Sequence, residues 1–165
     1  MVEYLYHVDK KDNVIGKVER DDAHSKKLLH KAGVVLVFDS KKYVCLAMRS
    51  PTKKICPNCI DSVCSFHVKY GQTNFEAAKT ELFEETGVKS KPKYLGKFLL
   101  DEDPDHMIVA VFCIVTDERL ALDPAEAINY DFYKLDDADK LIKNEKITPW
   151  LYGAWNLYKN HMKSR

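Results

Sequence analysis

Apolar positions follow two rhythms along this chain: short alternating or continuous runs that suit strands, and stripes recurring every three or four residues that suit helices. Tyr4 to Val8 and Val14 to Glu19 read as strands around the turn DKKDN, and Asp21 to His30 as a short helix. Ala32 to Phe38 and Tyr43 to Arg49 are apolar runs joined by DSKK, which predicts a hairpin. After a loop from Ser50 to Ile60, a strand is expected around Asp61 to Tyr70, then a helix within the segment Gly71 to Val88. Thr73 and Glu76 make a T-x-x-E capping box at its start, Phe75, Ala78 and Leu82 give it an apolar stripe, and Gly87 can end it in the left-handed conformation. Further strands are expected near Lys93 to Leu100, His106 to Thr116 and Tyr130 to Tyr133, with helices near Asp136 to Lys143 and Pro149 to Lys163. Periodicity alone therefore predicts an α+β or α/β chain.

Composition narrows the function classes. A chain of 165 residues without a Pro/Gly/Ser-rich linker is expected to be one domain over residues 1–165. Its 26 basic and 25 acidic residues balance, which argues against a nucleic-acid partner or a membrane-surface role. MVEYLYHVDKKD has neither the basic start nor the apolar run of a signal peptide, and no apolar segment approaches spanning length, so a cytoplasmic location is expected. In that reducing setting the five cysteines are not expected to form structural disulfides. Oligomeric state is not legible.

Chemistry concentrates on the capped helix. Glu81, Glu84 and Glu85 stand at i, i+3 and i+4, so they share one side of the helix and repel one another unless a cation intervenes. Mg²⁺ (or Mn²⁺) is the expected cofactor, because hard cations join protein carboxylates to substrate phosphates. The bland alternative is a solvated acidic face. The helix resembles the catalytic helix of the Nudix family, whose signature is G-x5-E-x7-R-E-U-x-E-E-x-G-U, U being bulky and apolar. Glu81, Leu82, Glu84, Glu85, Gly87 and Val88 match its second half, whereas Phe66, Gln72 and Thr80 stand where the signature has Gly, Glu and Arg. In the family that Arg orients a catalytic Glu. The resemblance implies a Nudix α/β/α sandwich with a mixed β-sheet, and catalytic roles for Glu81, Glu84 and Glu85.

HVDKKDNVIGKVERDDAHSKKLLH, RSPTKK, DSVCSFHV and TPWLYGAW extend the likeness, from about His7 to Trp155, to type 1 isopentenyl-diphosphate isomerase and the Nudix hydrolases nearest it. That branch implies metal-binding roles for His24, His30 and His67 beside the glutamates, diphosphate-binding roles for Arg20, Arg49 and Lys53, and a pocket-lining role for Trp150. Taken singly, each has an ordinary reading as a surface, helix-end or core residue. The isomerase's proton-transfer Cys and Glu fall on Ser65 and Met107, with Cys64 displaced by one position. Adjacent strand residues face opposite ways, so Cys64 is expected to point away. These departures favour hydrolysis of an organic diphosphate, a small-molecule partner, over isomerisation or a weakly active binding protein. Glu85 and then Glu126 are candidate general bases. Cys56, Cys59, Cys64 and His67 also form a C-x2-C-x4-C-x2-H spacing that suits zinc, but Cys64 and His67 would face opposite sides of a strand, so structural Zn²⁺ is not expected.

Overall fold

The apolar runs pair into a single mixed sheet in the computed structural model, which describes residues 1–164; Arg165, the last residue of the expected domain, lies outside them. β1 (Tyr4–Val8) and β2 (Val14–Glu19) form an antiparallel hairpin at one edge. The centre is β3 (His30–Phe38), followed by β4 (Val44–Arg49), β5 (Ile60–Ser62) and β6 (Cys64–His67). β7 (Lys93–Glu102) and β8 (Asp105–Val115) form a second antiparallel pair, and β9 (Ala127–Tyr133) joins β4. β3 runs parallel to β8, from His30 opposite Met107 to Phe38 opposite Val115, and antiparallel to β6, with Ala32 opposite His67.

Because both faces of β3 are covered, Val34, Val35, Leu36 and Val37 are all 0% exposed, and the strand reads as continuously apolar. On one face Val34 and Leu36 cluster with Leu151, Ala154 and Trp155 of α4 (Pro149–Lys163) and Ala138 and Ile142 of α3 (Leu135–Asn144). On the other, Val35 and Val37 meet Ala77, Ala78 and Leu82 of α2 (Asn74–Thr86). The result is an α/β/α sandwich. No helix is long and apolar enough to cross a membrane among the described residues.

The capping box forms at α2: the Thr73 N–H donates to Glu76 Oε2 at 2.8 Å and the Glu76 N–H to Thr73 Oγ1 at 3.1 Å. Gly87 ends the helix at φ 75°, its N–H donating to Phe83 O at 2.8 Å. Phe75, expected in the apolar stripe, is instead 36% exposed; the buried face is Ala77, Ala78, Leu82 and Thr86, whose small members let the helix approach the sheet closely.

Two other expectations are corrected. The first helix, α1, spans only Arg20–Ser25, because Lys27 turns to φ 55° and the Leu28 N–H closes onto Ala23 O at 2.8 Å; His30 opens β3. The strand expected over Asp61 to Tyr70 breaks at Val63. There the Ser62 N–H donates to Asp61 Oδ1 (2.7 Å) and Ser62 Oγ to Cys64 O (3.1 Å), local bonds that compete with the ladder. The break lets the chain leave β4, which β5 pairs, and join β3, which β6 pairs.

Candidate active site

His24 comes from α1, His30 opens β3 and His67 ends β6, and the pairing of β6 with β3 brings all three together. One ring nitrogen of each lies within 4.8 Å of the others, and His24 Nε2 is 3.1 Å from His67 Nε2. His30 Nδ1 donates to Leu28 O at 2.8 Å, which leaves Nε2 as a bare lone pair. That buried Nε2 finds no partner among the described residues, and neither does His24 Nδ1. Burial and then Arg20 hold His24 below the ordinary histidine value, and burial with help from neighbouring histidines and Arg20 does the same for His67 and for His30, which lies at about 4. Neutral imidazoles with free lone pairs fit a divalent ion, and imidazole suits Mn²⁺ and its transition-metal neighbours better than Mg²⁺.

Beside the histidines opens a cavity of about 690 Å³. Arg20, Arg49 and Lys53 line it together with His24, His67 and Trp150, while Phe66, Met107 and Val109 supply apolar wall. Arg20 lies 3.8 Å from Glu3, and Lys53 is paired with Glu126 at 2.6 Å. Arg49 is held most firmly. Its Nε donates to Cys56 O (3.2 Å), one Nη to Ile55 O (3.0 Å) and the other to Asp61 Oδ2 (3.0 Å), and it stacks 5.1 Å over the Trp150 ring.

Asp61, 1% exposed, is the anchor that sequence reasoning missed. Besides Arg49 it accepts Trp150 Nε1 (2.8 Å), Thr148 Oγ1 (2.9 Å), Ser65 Oγ (3.2 Å) and the Ser62 N–H (2.7 Å). Burial pushes its carboxyl up, opposed by Arg49 and these donors. The available signal was a lone carboxylate at the head of an expected strand. A second buried acid, Asp105, lines the cavity with its Oδ2 lacking a partner among the described residues, and burial raises it.

None of the helix glutamates lines this cavity, although Glu85 lies near enough to the lining Lys53 to feel its charge. With 3.6 residues per turn, Glu84 and Glu85 point about 60° and 40° to opposite sides of Glu81. Glu84 is exposed. Glu81 is half-buried and pairs with Lys69 at 3.1 Å, a cation from the segment after β6 that meets the glutamate where Thr80 does not. Glu85 lies near Cys64, whose thiol it helps push up after burial, and is itself raised well above the ordinary carboxyl value by burial and by Glu126 and Glu81. Among the described residues the histidines, not these glutamates, make the group of three converging ligand side chains.

Ser65 and His67 share the cavity side of β6, whereas Cys64 is 0% exposed on the α2 side. Cys56 and Cys59 lie in the β4–β5 loop, so the four residues of the zinc spacing are drawn to three places. Ser65 and Met107 both line the cavity.

This fold, with a capped E-x-x-E-E helix on one side and a cationic cavity on the other, matches the NUDIX domain family model over residues 28–151, and the chain belongs to that family. Within it, the chain is 30% identical over 164 residues to isopentenyl-diphosphate Delta-isomerase 2 of Photorhabdus laumondii, covering 94% of this chain and 89% of that protein. It is 28% identical over 127 residues to an uncharacterized Nudix hydrolase of Yersinia pestis, covering 76% and 70%. Among solved structures, its fold is similar to that of DR0079 from Deinococcus radiodurans, with a TM-score of 0.77 at 21% identity over 95% of this chain and 98% of that one.

Proposed function

We propose that this protein hydrolyses the diphosphate linkage of an organic diphosphate in the cytoplasm, with Mg²⁺ or Mn²⁺. The observation that carries the reading is a cavity where Arg20, Arg49 and Lys53 converge beside His24 and His67, with Ser65 and Met107 at the positions an isomerase fills with its acid and base. Met107 cannot transfer a proton.

His24, His30 and His67 would hold one ion, and Glu81, Glu84 and Glu85 offer oxygen ligands for a Mg²⁺ that accompanies substrate phosphates. A bound divalent ion supplies polarisation of a phosphoryl oxygen and a more acidic water. Arg20, Arg49 and Lys53 hold the non-bridging oxygens. Three of Arg49's donors are tied to Asp61 and the loop carbonyls, so the guanidinium is presented rigidly, with two of its five N–H groups left for the substrate. Glu85, kept high by burial and close enough to Lys53 to feel its charge, is the proton acceptor in this scheme, and Glu126 the second candidate. Trp150 and Met107 suit an apolar or aromatic leaving group on a nucleoside, sugar or prenyl diphosphate.

A second reading is isopentenyl-diphosphate isomerisation, favoured by the 30% identity to a protein of that name and requiring a proton pair other than Ser65 and Met107. A product-resolved assay with Mg²⁺ or Mn²⁺ against nucleoside, sugar and prenyl diphosphates separates the two. Phosphate release that Glu85→Gln abolishes is expected. Allylic isomer without phosphate supports the isomerase, and no product from folded protein supports a binding protein.

A further inference from the structure

The β4–β5 loop carries a C-x2-C pair, Cys56 and Cys59, that the hydrolase reading does not use. Cys56 and Asn58 adopt φ 49° and 57°, a left-handed path that folds the segment back on itself. The Cys59 thiol lies near enough to Cys56 to help push its thiol up, after burial; Cys56 is half-buried and Cys59 is 1% exposed. The same residues clasp Arg49. Its backbone N–H donates to Cys59 O at 2.9 Å and its Nε to Cys56 O at 3.2 Å, with Ile55 O taking a third bond at 3.0 Å.

We propose that Cys56 and Cys59 are a reversible dithiol–disulfide pair, and that closing it moves the carbonyls that hold Arg49 in the cavity wall. The oxidant is a low-molecular-weight disulfide. The Cys56 thiolate, the more accessible sulfur, attacks it, forms a mixed disulfide and releases one small thiol. The Cys59 thiolate then attacks the Cys56 sulfur and releases the second. Two protein thiols lose two electrons and two protons, and the small disulfide gains them. Burial pushes the Cys56 thiol up to about 11, so the exchange is slow at neutral pH and the reduced pair is the resting state in a reducing compartment. An S–S bond of about 2.05 Å is far shorter than any contact between two unbonded thiols, so ring closure draws the two residues and their carbonyls together. The effect on ligand affinity rests on the diphosphate reading above; the disulfide itself does not.

The test incubates folded protein with oxidised glutathione at about pH 8.5 to raise the thiolate fraction, blocks residual thiols and maps the tryptic peptide Ile55–Lys69, which holds Cys56, Cys59 and Cys64. A Cys56–Cys59 disulfide is expected, absent in Cys56→Ser and in Cys59→Ser and retained in Cys64→Ser; Cys59→Ala replaces Cys59→Ser should the latter unfold. Glutathione left on Cys56 without closure, closure onto Cys64, or no reaction would overturn the pair. Oxidation should also shift tryptophan emission, since Trp150 lies beneath Arg49, and should weaken inorganic pyrophosphate binding by about tenfold. Closure with neither change would sink the link to Arg49. If reduced protein fails to bind pyrophosphate, the diphosphate reading falls, and the peptide map and emission still judge the pair.

Discussion

His67 and Cys64 stand three residues apart on β6, yet one opens onto the cavity and its histidines while the other is buried against α2 and Glu85. Desolvation acts on both sides with opposite results. It strips protons from the histidines, leaving lone pairs free for an ion, and it keeps a proton on Glu85 to higher pH than a solvated carboxyl would. The cavity side gathers three histidine ligand atoms within 4.8 Å of one another, whereas the helix glutamates form no such group among the described residues. A compact motif in sequence thus became the looser cluster in space, and three histidines scattered over α1, β3 and β6 became the tight one.

The strongest way to break the comparison is Asp61→Ala, which removes the anchor of the cavity side alone. Arg49 would be left buried without its counter-ion, so chemical denaturation should show a loss of about 3–5 kcal/mol. A loss under about 1 kcal/mol would mean that Arg49 is held by the loop carbonyls alone.

Acid sharpens the contrast next. In chelator-treated protein, unfolded histidines take up protons near 6.5 while folded His30 resists to about 4, so the unfolded state binds more protons between these values. Stability should therefore fall as pH drops through that window, His30 alone contributing on the order of 3 kcal/mol. Glu85 has the reverse sign. Its folded carboxyl is raised, so its contribution is present in acid and lost as pH rises above the ordinary carboxyl value, and Glu85→Gln should remove that loss. Identical pH profiles for wild type and Glu85→Gln would refute the proton assignment.

Ion binding without substrate should separate the two sides further. Affinity for Mn²⁺ in His67→Ala should fall by more than about tenfold, the cost of losing even an outer partner of a metal ligand. Glu84→Gln should leave it within roughly threefold, since Glu84 is exposed and outside the histidine group. Equal losses, measured calorimetrically, would merge the two sites into one.

The smallest effect is expected at Lys69. Lys69→Met should cost less than about 1 kcal/mol, as partly exposed ion pairs do. It should nonetheless lower kcat more than it raises KM, with recovery in Lys69→Arg, if the pair holds Glu81 in place for catalysis.

Local chemistry was the legible part of this fold. The Thr73 and Glu76 box, the Gly87 stop and the apolar runs of β3 and β8 are written in neighbouring residues. Arg20, Arg49, Lys53 and Trp150 could be named from resemblance, and the cavity they share needed the sheet to form. Asp61 stayed hidden because its partners lie in β4, β6 and α4, and a single acid in an apolar stretch gives no periodic signal. The break at Val63 was missed for a related reason, since side-chain bonds by Asp61 and Ser62 decide it. Spacing placed Glu81, Glu84 and Glu85 on one side of the helix but could not show that Glu84 is exposed while Glu81 and Glu85 are half-buried, because burial depends on what the sheet packs against them.

The parallel register of β3 with β8 has a kinetic meaning. His30 pairs with Met107, and no loop between them is short enough to make that contact early, so closing it pays a large chain-entropy penalty before the sheet is rewarded. An ion that needs His24, His30 and His67 together depends instead on the meeting of β3 with β6, and would find no site on a chain in which those two strands are still apart. Uptake of Mn²⁺ during refolding would then report the β3–β6 pairing separately from the β3–β8 pairing, and free ion would stabilise the native state by mass action.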